Sequence, residues 1–89
     1  MFGIIFRIIA CLAQMDDKEL RFRKLLGARI QEIRQNKPMT QPELAALIGF
    51  KDYQAIGRIE NGRVTPSVYV IYQIAEALEV GIEDLFNFN

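Results

Sequence analysis

At 89 residues, with 51% apolar side chains and no net charge, the chain is long enough for one small domain and too apolar for a disordered segment. Its single cysteine, Cys11, excludes an intrachain disulfide and favours a reducing cytoplasm, and the lack of histidine removes the commonest acid–base group and metal ligand. Neutrality conceals polarity: residues 18–63 hold ten of the eleven basic side chains against five acids, whereas residues 64–89 hold four acids and no base, so one flank can present a positive surface.

The opening MFGIIFRIIACLAQ is apolar almost throughout, with Gly3, Arg7, Ala10 and Gln14 on one helical stripe. It is too short for a membrane span, which needs about 20 residues, and Arg7 interrupts the apolar run a signal peptide requires. Residues 1–15 are therefore expected to be an apolar helical extension that packs on the domain or on a second copy, or else a stretch upstream of a natural start at Met15. The first helix of the domain is expected to open after Asp16, since Asp16 and Glu19 have capping-box spacing and Met15 and Leu20 staple spacing. One unbroken helix through both segments is the alternative. Phe22, Leu25, Leu26, Ile30 and Ile33 recur at helical spacing, and Asn36-Lys37-Pro38 stops the helix. Within it, Arg21-Phe22-Arg23-Lys24 reads as a solvated face with Phe22 turned inward.

The second helix uses a capping box again. Thr40 caps, Glu43 answers three residues later, and Met39 can staple to Leu44. Leu44, Ala45, Leu47 and Ile48 form its apolar face, and Gly49 suits a left-handed residue at its end. Phe50-Lys51-Asp52 leads into DYQAIGRIEN, residues 52–61, with Asp52 as N-cap. At about 100° per residue, Tyr53, Gln54, Gly57, Arg58 and Asn61 share an arc of roughly 140°. Ala55, Ile56, Ile59 and Glu60 fill the other side. A glycine inside a helix costs about 1 kcal/mol relative to alanine, so Gly57 calls for a compensating gain on the polar arc.

Asn61-Gly62 signals a turn and Pro66 a helix opening. Thr65 or Ser67 caps the fourth helix, whose buried side is Val70, Ile71, Ile74, Ala75, Ala77 and Leu78; Tyr69 and Tyr72 are expected in the core or at a dimer surface. Residues 81–86 make a last short helix with Glu83 and Asp84 in its first turn, where acids favour the helix dipole. No strand pattern occurs. The expected fold class is all-α, a five-helix bundle over residues 16–86 preceded by the extension and followed by a tail at 87–89.

A very short link containing Gly49 joins the second and third helices, which is the helix-turn-helix arrangement. In it the first helix crosses a nucleic-acid backbone and the second enters the major groove. Ala45 supplies the small side chain the crossing requires, while Ile56 and Ile59 anchor the second helix from beneath.

Carried by Thr40-Gln41, Leu44-Ala45, Gly49, Ile56, Ile59-Glu60-Asn61-Gly62, Pro66 and Ile74-Ala75, residues 25–86 resemble the lambda-repressor-like helix-turn-helix family of the Cro and xenobiotic-response-element type. The resemblance implies a five-helix DNA-binding domain in which Tyr53, Gln54, Gly57 and Arg58 face base edges. It further implies phosphate contacts at Gln41, Lys51, Asn61, the Gly62 backbone and Arg63, and a structural ion pair between Arg34 and Glu60. Glutamine suits adenine and arginine suits guanine, whereas phosphate contacts set orientation and do not read sequence. Two features depart from the family pattern: the turn from Gly49 to Ile56 is one residue longer than usual, and Pro38 stands where glycine is common.

No glycine-rich phosphate loop, metal-ligand cluster or nucleophile–base pair is visible, so no catalysis, cofactor or metal is expected. The reading is a cytoplasmic transcriptional regulator that binds double-stranded DNA sequence-specifically as a homodimer, with no membrane association. Its dimer surface would be Leu85, Phe86 and Phe88 or the apolar N-terminal helix. Two alternatives keep the fold: an antitoxin that holds a small toxin on residues 1–14 and represses its own operon, and a protein-interaction module that never meets DNA.

Overall fold

The computed structural model describes the backbone of residues 2–88 and the side chains of residues 17–88. Five helices follow one another: α1 (Phe2–Asn36), α2 (Gln41–Leu47), α3 (Gln54–Glu60), α4 (Val68–Leu78) and α5 (Ile82–Leu85). No strand occurs among the described residues, so the fold class is all-α. Nor is any helix among them long and apolar enough to cross a membrane.

The expected start at Asp16 is corrected. α1 runs through it unbroken, because residues 8–26 contain no glycine or proline and mostly good helix formers. Capping-box spacing matters only where a helix must end. Glu19 instead accepts a hydrogen bond from the Thr65 hydroxyl at 3.2 Å, tying α1 to the turn before α4. The stripe Gly3-Arg7-Ala10-Gln14 and Cys11 fall among the side chains outside the described residues.

One core unites the domain. It takes Leu26 and Ile30 from α1, Leu44, Ala45 and Ile48 from α2, Ile56 and Ile59 from α3, four residues of α4 (Ile71, Ile74, Ala75, Leu78), and Leu85 from α5. Each fully buried Leu or Ile side chain contributes about 1.5–3 kcal/mol relative to exposure. Leu47, expected on the apolar face of α2, is 62% exposed. At about 100° per residue Leu44, Ile48 and Ala45 span the buried arc, and Leu47 falls some 60° beyond its edge.

The ends of the helices explain their lengths. In α2 the Thr40 hydroxyl oxygen accepts the Glu43 N–H at 3.2 Å, and the Glu43 carboxylate accepts the Thr40 N–H at 3.3 Å. Three helices then close in the same way. Phe50 N–H donates to the Ala45 carbonyl beyond Gly49, Arg63 N–H to Arg58 beyond Gly62, and Val80 N–H to Ala75 beyond Glu79. Gly49, Gly62 and Glu79 have φ of 79°, 73° and 59°, the left-handed residue such closures need. Ser67, not Thr65, caps α4, accepting the Val70 N–H at 3.2 Å.

Tyr69 and Tyr72 are exposed and outside the core, which leaves a dimer surface as the other expected place for them. The Tyr72 hydroxyl donates to Glu76 at 3.1 Å, and that bond, with the carboxylate's charge, raises the phenol above its ordinary 10.0. Phe22 is not inside either. It stacks on Phe86 at 6.1 Å and meets Phe88 edge-on at 6.2 Å, a partly exposed aromatic cluster where α1 meets the C-terminus. Leu85, by contrast, is fully buried in its own domain, which removes it from any dimer surface.

The crossing of α1 and α3 positions everything that follows. Gly27 is buried there, and a Cβ on it would collide with the backbone carbonyls of Ile59 and Glu60. A Cβ on Gly62 would lie 2.9 Å from the Lys24 side chain and 3.0 Å from its backbone nitrogen. These two glycines let α1 lie directly against the end of α3.

Candidate nucleic-acid interface

α3 has a floor and an outer side. On the floor, Arg34 and Glu60 are both buried and paired twice, Nε to Oε2 at 2.6 Å and Nη2 to Oε1 at 3.0 Å. Arg34 Nη1 also donates to the Met39 carbonyl at 2.6 Å, so the arginine fixes the turn before α2. Gln41 Nε2 donates to the same Glu60 Oε1 at 2.9 Å. The expected Arg34–Glu60 pair is thus the centre of a network joining α1, α2 and α3. Its extension to Met39 and Gln41 has no signature in sequence spacing. A buried charge pair is tolerated only when its remaining hydrogen-bonding groups are satisfied, and here the carbonyl and the amide satisfy them.

On the outer side one shallow concavity is lined by Gln41, Tyr53, Gln54, Gly57, Arg58, Asn61 and Arg63. Seven residues singled out from the sequence, spread over α2, α3 and the following turn, therefore converge on one surface. Tyr53, Gln54, Arg58, Asn61 and Arg63 are exposed, and Gln41 and Gly57 are half-buried. The lining holds two guanidiniums, three amides and a phenol, with no acid among them. It offers donors and acceptors at close range beside a strip of bare backbone.

Asp52 was expected as the N-cap of α3, but that place falls to Tyr53, which makes no side-chain cap bond. Asp52 stands one residue earlier, because regular helix begins only at Gln54, and its Oδ1 accepts the Gln54 N–H at 2.9 Å. Its Oδ2 lies 3.7 Å from Arg58 Nη2. The six-residue separation is not one at which helix side chains ordinarily meet, and the pair was not foreseen.

Gly57 lies under the Gln41 amide. A Cβ added to it would sit 3.6 Å from Gln41 Oε1 and 3.7 Å from Nε2, an ordinary contact. The fold therefore has room for alanine at Gly57, unlike Gly27 and Gly62. Two expected phosphate contacts stand apart from the concavity. Lys51 is exposed but does not line it. Gly62 is buried and its N–H donates to the Ile59 carbonyl at 3.1 Å. Among the described residues no group of three or more His, Cys, Asp or Glu side chains could hold a metal.

The helix-turn-helix family HTH_3 matches residues 30–85. The HTH-type transcriptional regulator y4dJ of Sinorhizobium fredii is 38% identical over 63 residues, covering 71% of this chain and 80% of the relative. An HTH-type transcriptional regulator of Archaeoglobus fulgidus is 41% identical over 64 residues, 72% of this chain and 90% of the relative. The crystal structure of the restriction-modification controller protein C.AhdI from Aeromonas hydrophila superposes with a TM-score of 0.68 at 33% identity, over 71% of this chain and 94% of that one.

Proposed function

The chain belongs to the helix-turn-helix family HTH_3, and from that premise we propose that it is a transcriptional regulator binding double-stranded DNA sequence-specifically as a homodimer. α3 enters the major groove. Tyr53, Gln54 and Arg58 face base edges, with arginine suited to guanine and glutamine to adenine. Gly57 lets the helix settle deeply, leaving room for a thymine methyl or a water. Gln41, Asn61, Arg63 and Lys51 hold phosphates and set the register.

The observation that carries this reading is the convergence of two arginines, three amides and a tyrosine on one open, acid-free concavity around a glycine with room for a side chain. The buried pair beneath supports it by fixing Gln41 through Glu60, which preorganises that amide. For the dimer, support comes from the partly exposed Phe22, Phe86 and Phe88 cluster, beside which exposed Leu25 lines the same shallow groove as Phe88, since contiguous apolar surface marks interaction sites.

Selection from random duplexes with the purified chain tests the proposal. The expected product is a palindromic site with half-sites about 34 Å apart and affinity that falls steeply with salt. No enrichment of any sequence would overturn it, and a monomer in sedimentation at the working concentration, with or without DNA, would overturn the homodimer.

A further inference from the structure

Asp52 lies at the edge of the concavity but is absent from its lining and from the residues assigned to DNA. Its carboxylate has two engagements. Oδ1 accepts the Gln54 N–H at 2.9 Å, which anchors the group on the first turn of α3. Oδ2 faces Arg58 Nη2 at 3.7 Å. The side chains are 55% and 47% exposed, so the pair stands open on the outer side of α3. We propose that Asp52 is a positioning residue that determines specificity: it aims Arg58 and cancels its charge, so that the guanidinium reads a G·C base pair instead of binding any phosphate. This inference rests on the DNA-binding reading above.

The argument is one of charge. An unpaired arginine on a groove-facing helix binds phosphates of every sequence with the same gain from counterion release. Asp52 removes that gain, because a phosphate drawn to Arg58 is repelled by the carboxylate beside it. Base edges differ in carrying no net charge. Guanine offers N7 and O6 as two acceptors in one plane, and its partner cytosine offers the N4 amino group as a donor. Arginine has five N–H donors, so Arg58 can engage guanine with two while a third stays towards Asp52. The free lone pairs of Asp52 suit the cytosine amino group and are repelled by the O4 of thymine. An exposed pair of this length is weak in water, but it strengthens once the groove displaces solvent. The Gln54 N–H holds the carboxylate in place throughout.

The experiment compares wild type with Asp52→Asn, whose amide oxygen can still accept the Gln54 N–H while the charge is gone. Asp52→Ser, a second neutral acceptor for the same N–H, serves if the first variant does not fold. Affinities are measured across a salt series on the selected operator, on operators altered at the base pair that Arg58→Ala ceases to discriminate, and on an unrelated duplex. Expected are a G·C pair at that position, unrelated DNA bound on the order of tenfold more tightly by the neutral variants, and a log–log salt slope steeper by about 0.9 for one added phosphate contact. Discrimination at the G·C pair should fall on the order of tenfold, the size of one base-pair preference, and in an Arg58→Ala background Asp52→Asn should leave it unchanged. Neutral variants with wild-type discrimination and slope, or the same loss with and without Arg58, would overturn the inference while leaving the regulator reading intact. A wild-type chain that selects no sequence would remove both.

Discussion

The two sides of α3 obey different rules. On the buried side every residue answers to a neighbour: Ile56 and Ile59 fill the core, Glu60 is held by Arg34, and the helix end rests on Gly27 and Gly62 of α1 and the turn. On the outer side Tyr53, Gln54 and Asn61 are exposed, and Gly57 occupies a place where alanine would fit. Both sides contain a glycine and an arginine partner, yet only the inner ones are explained by the fold. Where local choices agree with the fold they report on stability, and where a costly choice has no internal reason it points to something outside the molecule.

The sharpest way to test that division is at Glu60. Glu60→Ala leaves the Arg34 guanidinium buried without its carboxylate, and breaking such a pair costs about 3–5 kcal/mol. Urea denaturation at fixed protein concentration should show it, and a loss under 1 kcal/mol would mean that the pair is solvated. Gly27→Ala comes next. Its methyl group meets two backbone carbonyls that α3 cannot withdraw without losing its closure, so overpacking of about 1–3 kcal/mol outweighs the improved helix propensity. An unchanged or raised denaturation midpoint would show that α1 and α3 have slack at their crossing.

Legibility in the sequence divides along the same line. Elements set by local chemistry were readable: the Thr40–Glu43 box, the Ser67 cap as one of two candidates, the left-handed Gly49, and the periodic apolar positions of α4. Five residues of the concavity, Tyr53, Gln54, Gly57, Arg58 and Asn61, were readable as one helical arc, whereas Gln41 and Arg63 came only from the family resemblance. What escaped depends on contacts distant in sequence. Gly27 looks like any helical glycine until α3 is laid over it. Arg34 gains the Met39 carbonyl and Gln41 only when three helices meet. Leu85 and Leu47 exchanged their expected places because a short helix buries a narrow arc. Glu79 adopts φ of 59° without being glycine, and no residue preference announces it.

On the outer side, substitutions should leave the fold and change the ligand. Arg58→Ala removes only the exposed Asp52 pair from the free protein, worth at most about 1 kcal/mol. It should cost about 1–3 kcal/mol of binding at one base pair and relax preference there. Gln41→Ala should instead weaken all sequences alike and shallow the salt slope by about one unit. Competition binding on the selected operator and its single-base variants separates the two patterns; identical patterns would mean that neither residue reads sequence.

The smallest effect is the most informative, because it sets the two sides of the comparison against each other in a single substitution. Gly57→Ala places a methyl group 3.6 Å from the Gln41 amide in an already helical backbone. The fold should gain up to about 1 kcal/mol, since alanine loses less conformational freedom than glycine on entering a helix. The same methyl projects from the centre of the groove-facing arc, between Tyr53 and Asn61, and should hold the helix off the base edges. Operator affinity should fall on the order of tenfold, comparable to one mismatched base pair. A chain that became more stable and bound its operator less tightly would show that a glycine with no internal function is retained for contact with DNA. If the variant gained stability and kept its affinity, Gly57 would be incidental, and the rule that unexplained residues mark the ligand face would fail at the position where it is easiest to test.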